Sequence, residues 1–278
     1  MKRKLFCEIA PWTYRLSVEK CILVRKIMDT LKTTRLAKEK SSEPLPVLVY
    51  RHASLIRRKL GNTDLSLQEN KAVNLSLAAP KINGILIRPG ETFSFWNLVG
   101  RDDARHGYKK GLTIAHGMPS SGVGGGLCQF TNLIHWMVLH SDLTITEHHH
   151  HDGIDLFPDY NRQIPFGTGT SIVYNYLDYR FRNDSQNTYQ LLTYSDGEYL
   201  RGELRAVNAL QYSYHIHSRD EHFSREDGVV YRNGIVERQI IDKNTGKCLK
   251  CDIIRRNHAK VMYDTSYLKV YEESREDS

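Results

Sequence analysis

The sequence predicts an α+β fold in which a central, cysteine-bearing helix packs on a mostly antiparallel β-sheet. Apolar residues recur at three- and four-residue steps over 128–140, as on one buried helix face. Short apolar or alternating segments bounded by turn residues follow from position 144 onward. A basic segment with helical character opens the chain, whose 278 residues are enough to bury a large core.

The N-terminal segment, residues 1–45, is predicted to be helical over 16–40 and to end at SSEPLP, where serines and two prolines interrupt a helix. A second helix is expected over 66–79, because Ser66 and Glu69 have the spacing of a capping box. Two short strands around a Pro-Gly turn are expected in ILIRPGETFSFW, and the next helix should begin at Cys128 or Gln129.

The remaining strands divide between two regions. A core domain over 46–205 takes in LTITEHHHH, SIVYNYLDYRFRN and YQLLTYSDGEYLRGEL, each of which reads as strand. A β-rich extension over 206–278 is expected to pack on this core as β-hairpins, with DKNTGKC as one turn.

The positive charge is concentrated at the N-terminus. Residues 1–60 hold 15 Lys and Arg against 5 Asp and Glu, whereas the whole chain has a net charge of +7. Such a run most often faces water, but it also suits peripheral docking to a membrane surface or an acidic protein. Nucleic-acid binding is not expected, because the sequence has no basic stripe interleaved with aromatic residues.

Five scattered cysteines argue against a disulfide scaffold and for reduced thiols. No apolar run approaches the ~18–20 residues of a membrane span. Glu8, Pro11 and Arg15 interrupt the segment where a signal peptide would need an apolar stretch. We therefore expect a cytoplasmic protein, with peripheral membrane association through the basic helix as an option.

The stretch SSGVGGGLCQFTN over 120–132 places three glycines just before Cys128. The glycines either make a tight helix entry or clear space for a substrate, and we favour the second interpretation. A thiol in the first turn of a helix faces unpaired N–H groups, which stabilise a thiolate. Amides near Gly125 and Gly126, with the Gln129 side chain, would form an oxyanion hole.

A base for this thiol is expected from TEHHHHD at 146–152. If 144–151 is a strand, His149 and His151 share one face, whereas His148 and His150 share the other. We expect His149 or His151 to take the thiol proton, and the choice between them stays open. Zinc binding through the same pair is the alternative, since imidazole suits zinc.

Asp178 lies in the later segment VYNYLDYRF and could orient the imidazole, completing a Cys–His–Asp set. Alternatively it forms a structural ion pair with Arg180 or Arg182, and Asp152 and Asp155 compete for the orienting role. Arg101, Asp102 and Asp103 either position substrate or cap a turn, and the cap is favoured. Cys248 and Cys251 form one CxxC pair, too few ligands for zinc. No cofactor is expected, because GVGGG lacks the context of a nucleotide-binding loop.

Four blocks in this order resemble the VanW family: QENKAVNLSLAAPKINGILIRPGETFSFWNLVG, GGGLCQFTNLIHW, TEHHHHD and LDYRFRN. The resemblance covers the chain from about residue 45 to the end. Some relatives act as L,D-transpeptidases that join peptidoglycan stem peptides through a cysteine acyl-enzyme. It therefore implies Cys128 as nucleophile, Glu147, His149 and His151 as the ExHxH pattern, and Asp178 as the carboxylate.

The chain departs from the family pattern at GTGTSIV, where many relatives have an aspartate and this sequence has Thr170 or a neighbour. The expected function is a cysteine-dependent acyl transferase or amidase acting on a small, peptide-like, cell-wall-related substrate. The alternatives are a non-catalytic accessory protein of glycopeptide resistance or cell-wall metabolism, and a metal-dependent hydrolase built on the histidines.

Overall fold

The computed structural model describes residues 5–57, 65–115, 118–150, 153–156, 158, 164–174 and 176–272. It confirms the α+β class, with sheets that are mostly antiparallel. The helices are α1 (Pro11–Leu31), α2 (Leu65–Ile82), α3 (Phe95–Val99) and α4 (Cys128–Leu139), with short 3₁₀ turns at Phe6–Glu8 and Ala104–His106.

Fourteen strands are assigned within the described residues. In chain order they are β1 (Val47–Leu55), β2 (Ile85–Ile87), β3 (Thr92–Ser94), β4 (Lys110–Ala115), β5 (Met118–Val123), β6 (Thr144–Glu147), β7 (Ile154–Asp155), β8 (Arg180–Arg182), β9 (Tyr189–Ser195), β10 (Tyr199–Ala206), β11 (Tyr212–Glu226), β12 (Val229–Asp242), β13 (Cys248–Val261) and β14 (Val270–Glu272).

The N-terminal helix is shorter than predicted, because α1 ends at Leu31 and not near residue 40. Thr33 has a φ of 48°, in the left-handed region that stops a helix, and β-branched threonines favour extended backbone. The chain then forms isolated bridges from Leu36 to Thr92 and from Lys40 to Ile85. The segment after α1 is therefore attached to the core.

The helix that carries Cys128 packs against a four-stranded sheet in the order β1-β10-β9-β2. Its predicted apolar stripe is confirmed, since every member of the stripe is buried: Phe130, Leu133, Ile134, Met137 and Val138. Gly202 in β10 faces this helix, so that a Cβ there would lie 2.6 Å from the Met137 methyl carbon. The small residue allows the helix to approach the sheet closely.

A three-stranded sheet in the order β3-β8-β6 lies beside this core. The two strands predicted around the Pro-Gly turn are present, but they do not pair with each other: β2 pairs with β9 and β3 with β8. The strand predicted over the histidines is too long, because β6 ends at Glu147. The strand predicted over 171–183 is only Arg180–Arg182.

The C-terminal residues build most of a five-stranded sheet in the order β14-β11-β12-β13-β7. The three long strands β11, β12 and β13 are antiparallel, as expected for hairpins, and Asp242 caps the predicted turn by accepting from the Asn244 and Thr245 amides. Strand β7 comes from an earlier part of the chain and pairs in parallel with β13. An earlier part of the chain therefore contributes one strand, β7, to the C-terminal sheet.

Among the described residues, no helix combines the length and the apolar character that crossing a membrane requires.

Replacing Gly202 by valine should weaken the packing of α4 on its sheet. The new side chain would collide with Met137 and Leu133, so we expect a loss of roughly 1–3 kcal/mol in the free energy of unfolding. Denaturant unfolding measures this loss. Arg201→Val, which places valine at the neighbouring position of the same strand, should change stability far less; equal effects would contradict this account.

Candidate functional site

A cavity of about 720 Å³ opens at the N-terminus of α4 and contains Cys128. Helix α1 forms one wall through Tyr14, Val18 and Ile22. The glycine turn at 124–126 and the chain at 171–174 form others. The cavity therefore has a mainly apolar lining with a few polar groups: Arg101, Asp102, Asp103, Thr113, Cys128, His150 and Ser171.

The turn before Cys128 needs glycines because other parts of the chain approach it closely. A Cβ on Gly125 would overlap the backbone of Gly111, and one on Gly126 would overlap the Lys71 side chain. Gly126 also has a φ of 92°, which favours glycine. Gly125 and Gly126 line the cavity as predicted candidates, but their small size is explained by packing within the protein.

Asn74 of α2 holds this turn in place. Its side-chain amide donates to the Gly125 carbonyl at 2.9 Å and to the Lys109 carbonyl at 3.0 Å, and its oxygen accepts from the Lys109 amide at 2.7 Å. Asn74 is fully buried. One side chain therefore ties α2, the start of β4 and the entry to α4 together.

The Cys128 thiol differs from the predicted resting thiolate. Burial raises the pKa of the Cys128 thiol, while Lys71 and the amides of Gln129 and Cys128 act against this rise. Helix-terminal amides thus face the sulfur as expected, but desolvation outweighs them. A raised pKa favours the protonated thiol, which needs a base to become a nucleophile.

The histidines do not alternate as on a strand, because β6 ends before them. His148 stacks on His135 with ring centroids 4.4 Å apart, and its Nε2 lies 2.9 Å from the Gly169 carbonyl. His149 Nε2 lies 3.0 Å from Glu147 Oε1. His150 lines the Cys128 cavity, whereas His151 lies outside the described residues.

The Glu147 carboxylate explains where His149 points. It accepts from the Arg25 guanidinium at 2.7 Å and from the Asp178 amide at 2.8 Å. Burial acts to raise its pKa, but these donors and His149 hold the pKa of Glu147 below its usual value. His149 is therefore held by the Glu147 carboxylate and is not part of the lining of the Cys128 cavity.

Asp178 is buried and has a structural set of partners. Its carboxylate accepts from the Ser94 hydroxyl at 2.6 Å, the Trp96 amide at 3.1 Å and the Arg180 guanidinium at 2.7 Å. Arg180 in turn pairs with Asp29 of α1 at 2.6 Å. The alternative ion pair with Arg180 is the one observed, and the structure does not bring Asp178 together with Cys128 around the cavity.

Gln129 and Arg101 also have partners within the protein. The Gln129 side chain donates to the Ser54 hydroxyl and the Leu55 carbonyl of β1, both at 2.8 Å, and so ties α4 to the sheet. Arg101 lines the cavity and donates to Glu19 of α1 at 2.9 Å. Gln129 is therefore turned to β1, whereas Arg101 stays at the cavity wall.

Two more residues line the cavity: Asp102, one of the two roles of which was substrate positioning, and Ser171, which the sequence did not single out. Burial raises the pKa of the Asp102 carboxyl to about 6, with Asp103 adding to the rise. The Ser171 hydroxyl is buried and has no hydrogen-bond partner among the described residues. Asp103, in contrast, caps the turn at Ala104–His106, as favoured for the 101–103 segment.

The described residues contain no group of three or more His, Cys, Asp or Glu that could hold a metal ion. The CxxC pair lies on β13, where both Cys248 and Cys251 are exposed.

Comparison with known proteins decides the family. A family model described as "VanW like protein" matches residues 70–205. The chain is also 37% identical, over 219 residues that span 79% of each protein, to the "Vancomycin B-type resistance protein VanW" of Enterococcus faecalis. The chain belongs to the VanW-like family.

The predicted family resemblance is thereby confirmed. This VanW-like chain is also 31% identical to the "Uncharacterized protein YoaR" of Bacillus subtilis over 121 residues, which cover 42% of this chain and 37% of that protein. No solved structure matches it. The family match contains Asn74, the glycine turn, Cys128 and His150.

Replacing Asp102 by asparagine should stabilise the protein at neutral pH. Because its folded pKa of about 6 lies above the usual value, the stability that Asp102 contributes is present below about pH 4 and is lost as pH rises through 6. In thermal unfolding, the free energy of unfolding of the variant should exceed that of the parent by roughly 1–3 kcal/mol at pH 8 and should equal it near pH 4.

Asp103→Asn is the matched control. Hydrogen bonds from His106 lower the pKa of Asp103, so this substitution should destabilise the protein at neutral pH. Parallel pH dependences for the two variants would contradict the assignment of Asp102.

The rate of alkylation of Cys128 by iodoacetamide should rise with pH, because the reactive thiolate forms only at high pH. We expect a midpoint above the ~8.5 of an ordinary thiol, because burial raises the pKa of this thiol. Lys71→Met should move the midpoint higher still, whereas the exposed-site change Lys109→Met should not. Peptide mass spectrometry of the residue 128 fragment gives the rates, and a midpoint at or below the ~8.5 of an ordinary thiol would contradict the raised pKa of Cys128.

Proposed function

We propose that the chain is a cysteine-dependent acyl transferase or amidase that acts on a peptide-like, cell-wall-related substrate. The observation that supports this most is the shared cavity: the Cys128 thiol, the His150 imidazole and a Ser171 hydroxyl that has no hydrogen-bond partner among the described residues line one space of about 720 Å³. That volume suits a short peptide segment.

His150 is the proposed base, in place of the sequence candidates His149 and His151. It lines the cavity with Cys128, whereas His149 is engaged by Glu147. Because the raised pKa favours the protonated thiol, transfer of its proton to an imidazole is the first step of the proposed reaction. Asp178 does not orient this base, because its carboxylate is occupied by Ser94, Trp96 and Arg180.

In the proposed reaction His150 accepts the Cys128 proton as the sulfur attacks the substrate carbonyl carbon. The C–S bond forms, and the carbonyl electron pair moves to oxygen. Collapse of this intermediate breaks the C–N bond, and the departing amine takes the proton from the imidazolium. An acceptor amine or water then attacks the thioester carbonyl carbon and gives a proton to His150. Collapse of this second intermediate breaks the C–S bond, and the imidazolium returns the proton to the departing sulfur, which restores the Cys128 thiol.

Backbone amides beside Cys128 are the proposed oxyanion donors. The amides of Gly125, Leu127 and Gln129 already donate to carbonyls of the turn. The amides of Gly126 and Cys128 are therefore the ones we assign to the developing charge, near the positive end of α4.

The substrate class is carried over from a relative. The name of the Enterococcus faecalis protein ties that protein to vancomycin resistance. We extend this to a cell-wall-related peptide for this chain, and we assign the Ser171 hydroxyl and Arg101 at the cavity wall to peptide carbonyl or carboxylate groups.

A non-catalytic accessory role, with peptide binding in the same cavity, is the second candidate. The raised pKa of the Cys128 thiol favours it, because a protonated thiol binds without reacting. The two candidates differ in one product: only the first leaves an acyl group on sulfur.

Incubation of the protein with wall-peptide fragments should leave an acyl adduct on the residue 128 peptide, detected by mass spectrometry. His150→Asn should slow its formation by about 10²–10⁴-fold, the usual effect of losing a general base. His149→Asn, the matched control from the neighbouring position, should slow it far less. Fragment binding without any adduct would establish the accessory role, and equal losses in the two variants would refute His150 as the base.

A further inference from the structure

Helix α1 has two different long faces. Its inner face is attached to the core by three ion pairs: Arg25 with Glu147 at 2.7 Å, Asp29 with Arg180 at 2.6 Å and Glu19 with Arg101 at 2.9 Å. The same face contributes Val18 and Ile22 to the cavity. These contacts fix the helix on the core, and its opposite face is exposed.

The outer face carries an apolar stripe. The stripe residues recur at four- and seven-residue steps, as on one side of a helix, and are between 47% and 72% exposed: Trp12, Leu16, Leu23, Ile27 and Leu31. Residues 5–31 hold 11 of the 25 exposed large hydrophobic side chains of the described chain. The five stripe residues form one exposed apolar surface, and such a surface marks an interaction site.

The charge around this stripe is positive. Arg15, Lys20 and Lys26 are exposed on α1. The acidic residues of the helix, Glu19 and Asp29, both pair with arginines of the core, so they do not offset these cations at the outer face. Lys2, Arg3 and Lys4 add positive charge at the start of the sequence.

We propose that the outer face of α1 is a membrane-surface site that lies in the headgroup region of an anionic lipid bilayer. An apolar stripe with tryptophan and leucine, bordered by Lys and Arg, is the composition of helices that lie in such an interface. The exposed cations attract the lipid headgroups, and the stripe enters the acyl boundary. The helix lies on the membrane and does not cross it.

The test uses the full chain with phosphatidylcholine vesicles that either contain or lack phosphatidylglycerol. Sedimentation with the anionic vesicles is expected at low salt and should weaken as salt screens the charges. Lys20→Gln/Lys26→Gln should reduce binding by roughly fivefold per charge, or about thirtyfold together. Leu16→Ser/Leu23→Ser/Ile27→Ser should reduce it at least tenfold. Leu249→Ser/Ile253→Ser, on exposed positions of β13, is the matched control and should bind as the parent does.

Tryptophan fluorescence reports insertion directly. Trp12 is 61% exposed, whereas Trp96 and Trp136 are each only 6% exposed. A blue shift of emission on adding anionic vesicles is therefore expected from Trp12, and Trp12→Phe should abolish the shift while most of the binding remains. This readout does not depend on enzymatic activity, so it is independent of the proposed reaction.

Three results would overturn the proposal: no sedimentation with either vesicle type, equal binding by the stripe variant and the parent, or a dimer in light scattering that the stripe variant converts to a monomer. The last result would assign the stripe to a second copy of the chain.

Discussion

The position of Cys128 depends on the buried amide of Asn74. This side chain holds the Gly125 carbonyl and both backbone groups of Lys109, so the turn before α4 and the strand beside it are fixed to α2. Because Gly111 and Gly125 meet backbone to backbone, no side chain can stand between these segments. The same contact directs the start of α4 toward the cavity. The glycines are thus needed because neighbouring segments pack closely against the turn, and the same turn lines the cavity that reaches the Cys128 sulfur.

Features that arise from neighbouring residues were predictable from the sequence. The apolar stripe of α4 follows from helical periodicity alone, and Cys128 lies at the helix start as its glycine entry indicates. The Asp242 turn and the α+β class were predictable for the same reason. The match to the VanW-like family agrees with motifs that could be read directly from the chain.

Features that arise from distant residues were not predictable in this way. The histidine segment was expected to continue a strand, but Glu147 is bound by Arg25, which is 122 residues away in sequence, and the strand ends there. His149 contacts Glu147 and does not line the cavity, whereas His150 does line it. The helix-terminus argument likewise predicted a thiolate, because the sequence does not reveal that the surrounding chain partly buries Cys128 and so raises the pKa of its thiol.

The short strand β7 has a consequence for how the protein divides. Strand β7 lies within the segment 70–205 that matches the family model, yet it pairs with β13 of the C-terminal sheet. Its Asp155 is buried against the Tyr263 hydroxyl at 2.9 Å and the Arg232 guanidinium at 3.4 Å. Strand β7 and the Asp155 carboxylate thus join the family-matched segment to the C-terminal sheet, and a cut after residue 205 would remove Tyr263 and Arg232 from Asp155. The family match ends at residue 205, whereas the contacts of its residues continue into the C-terminal sheet.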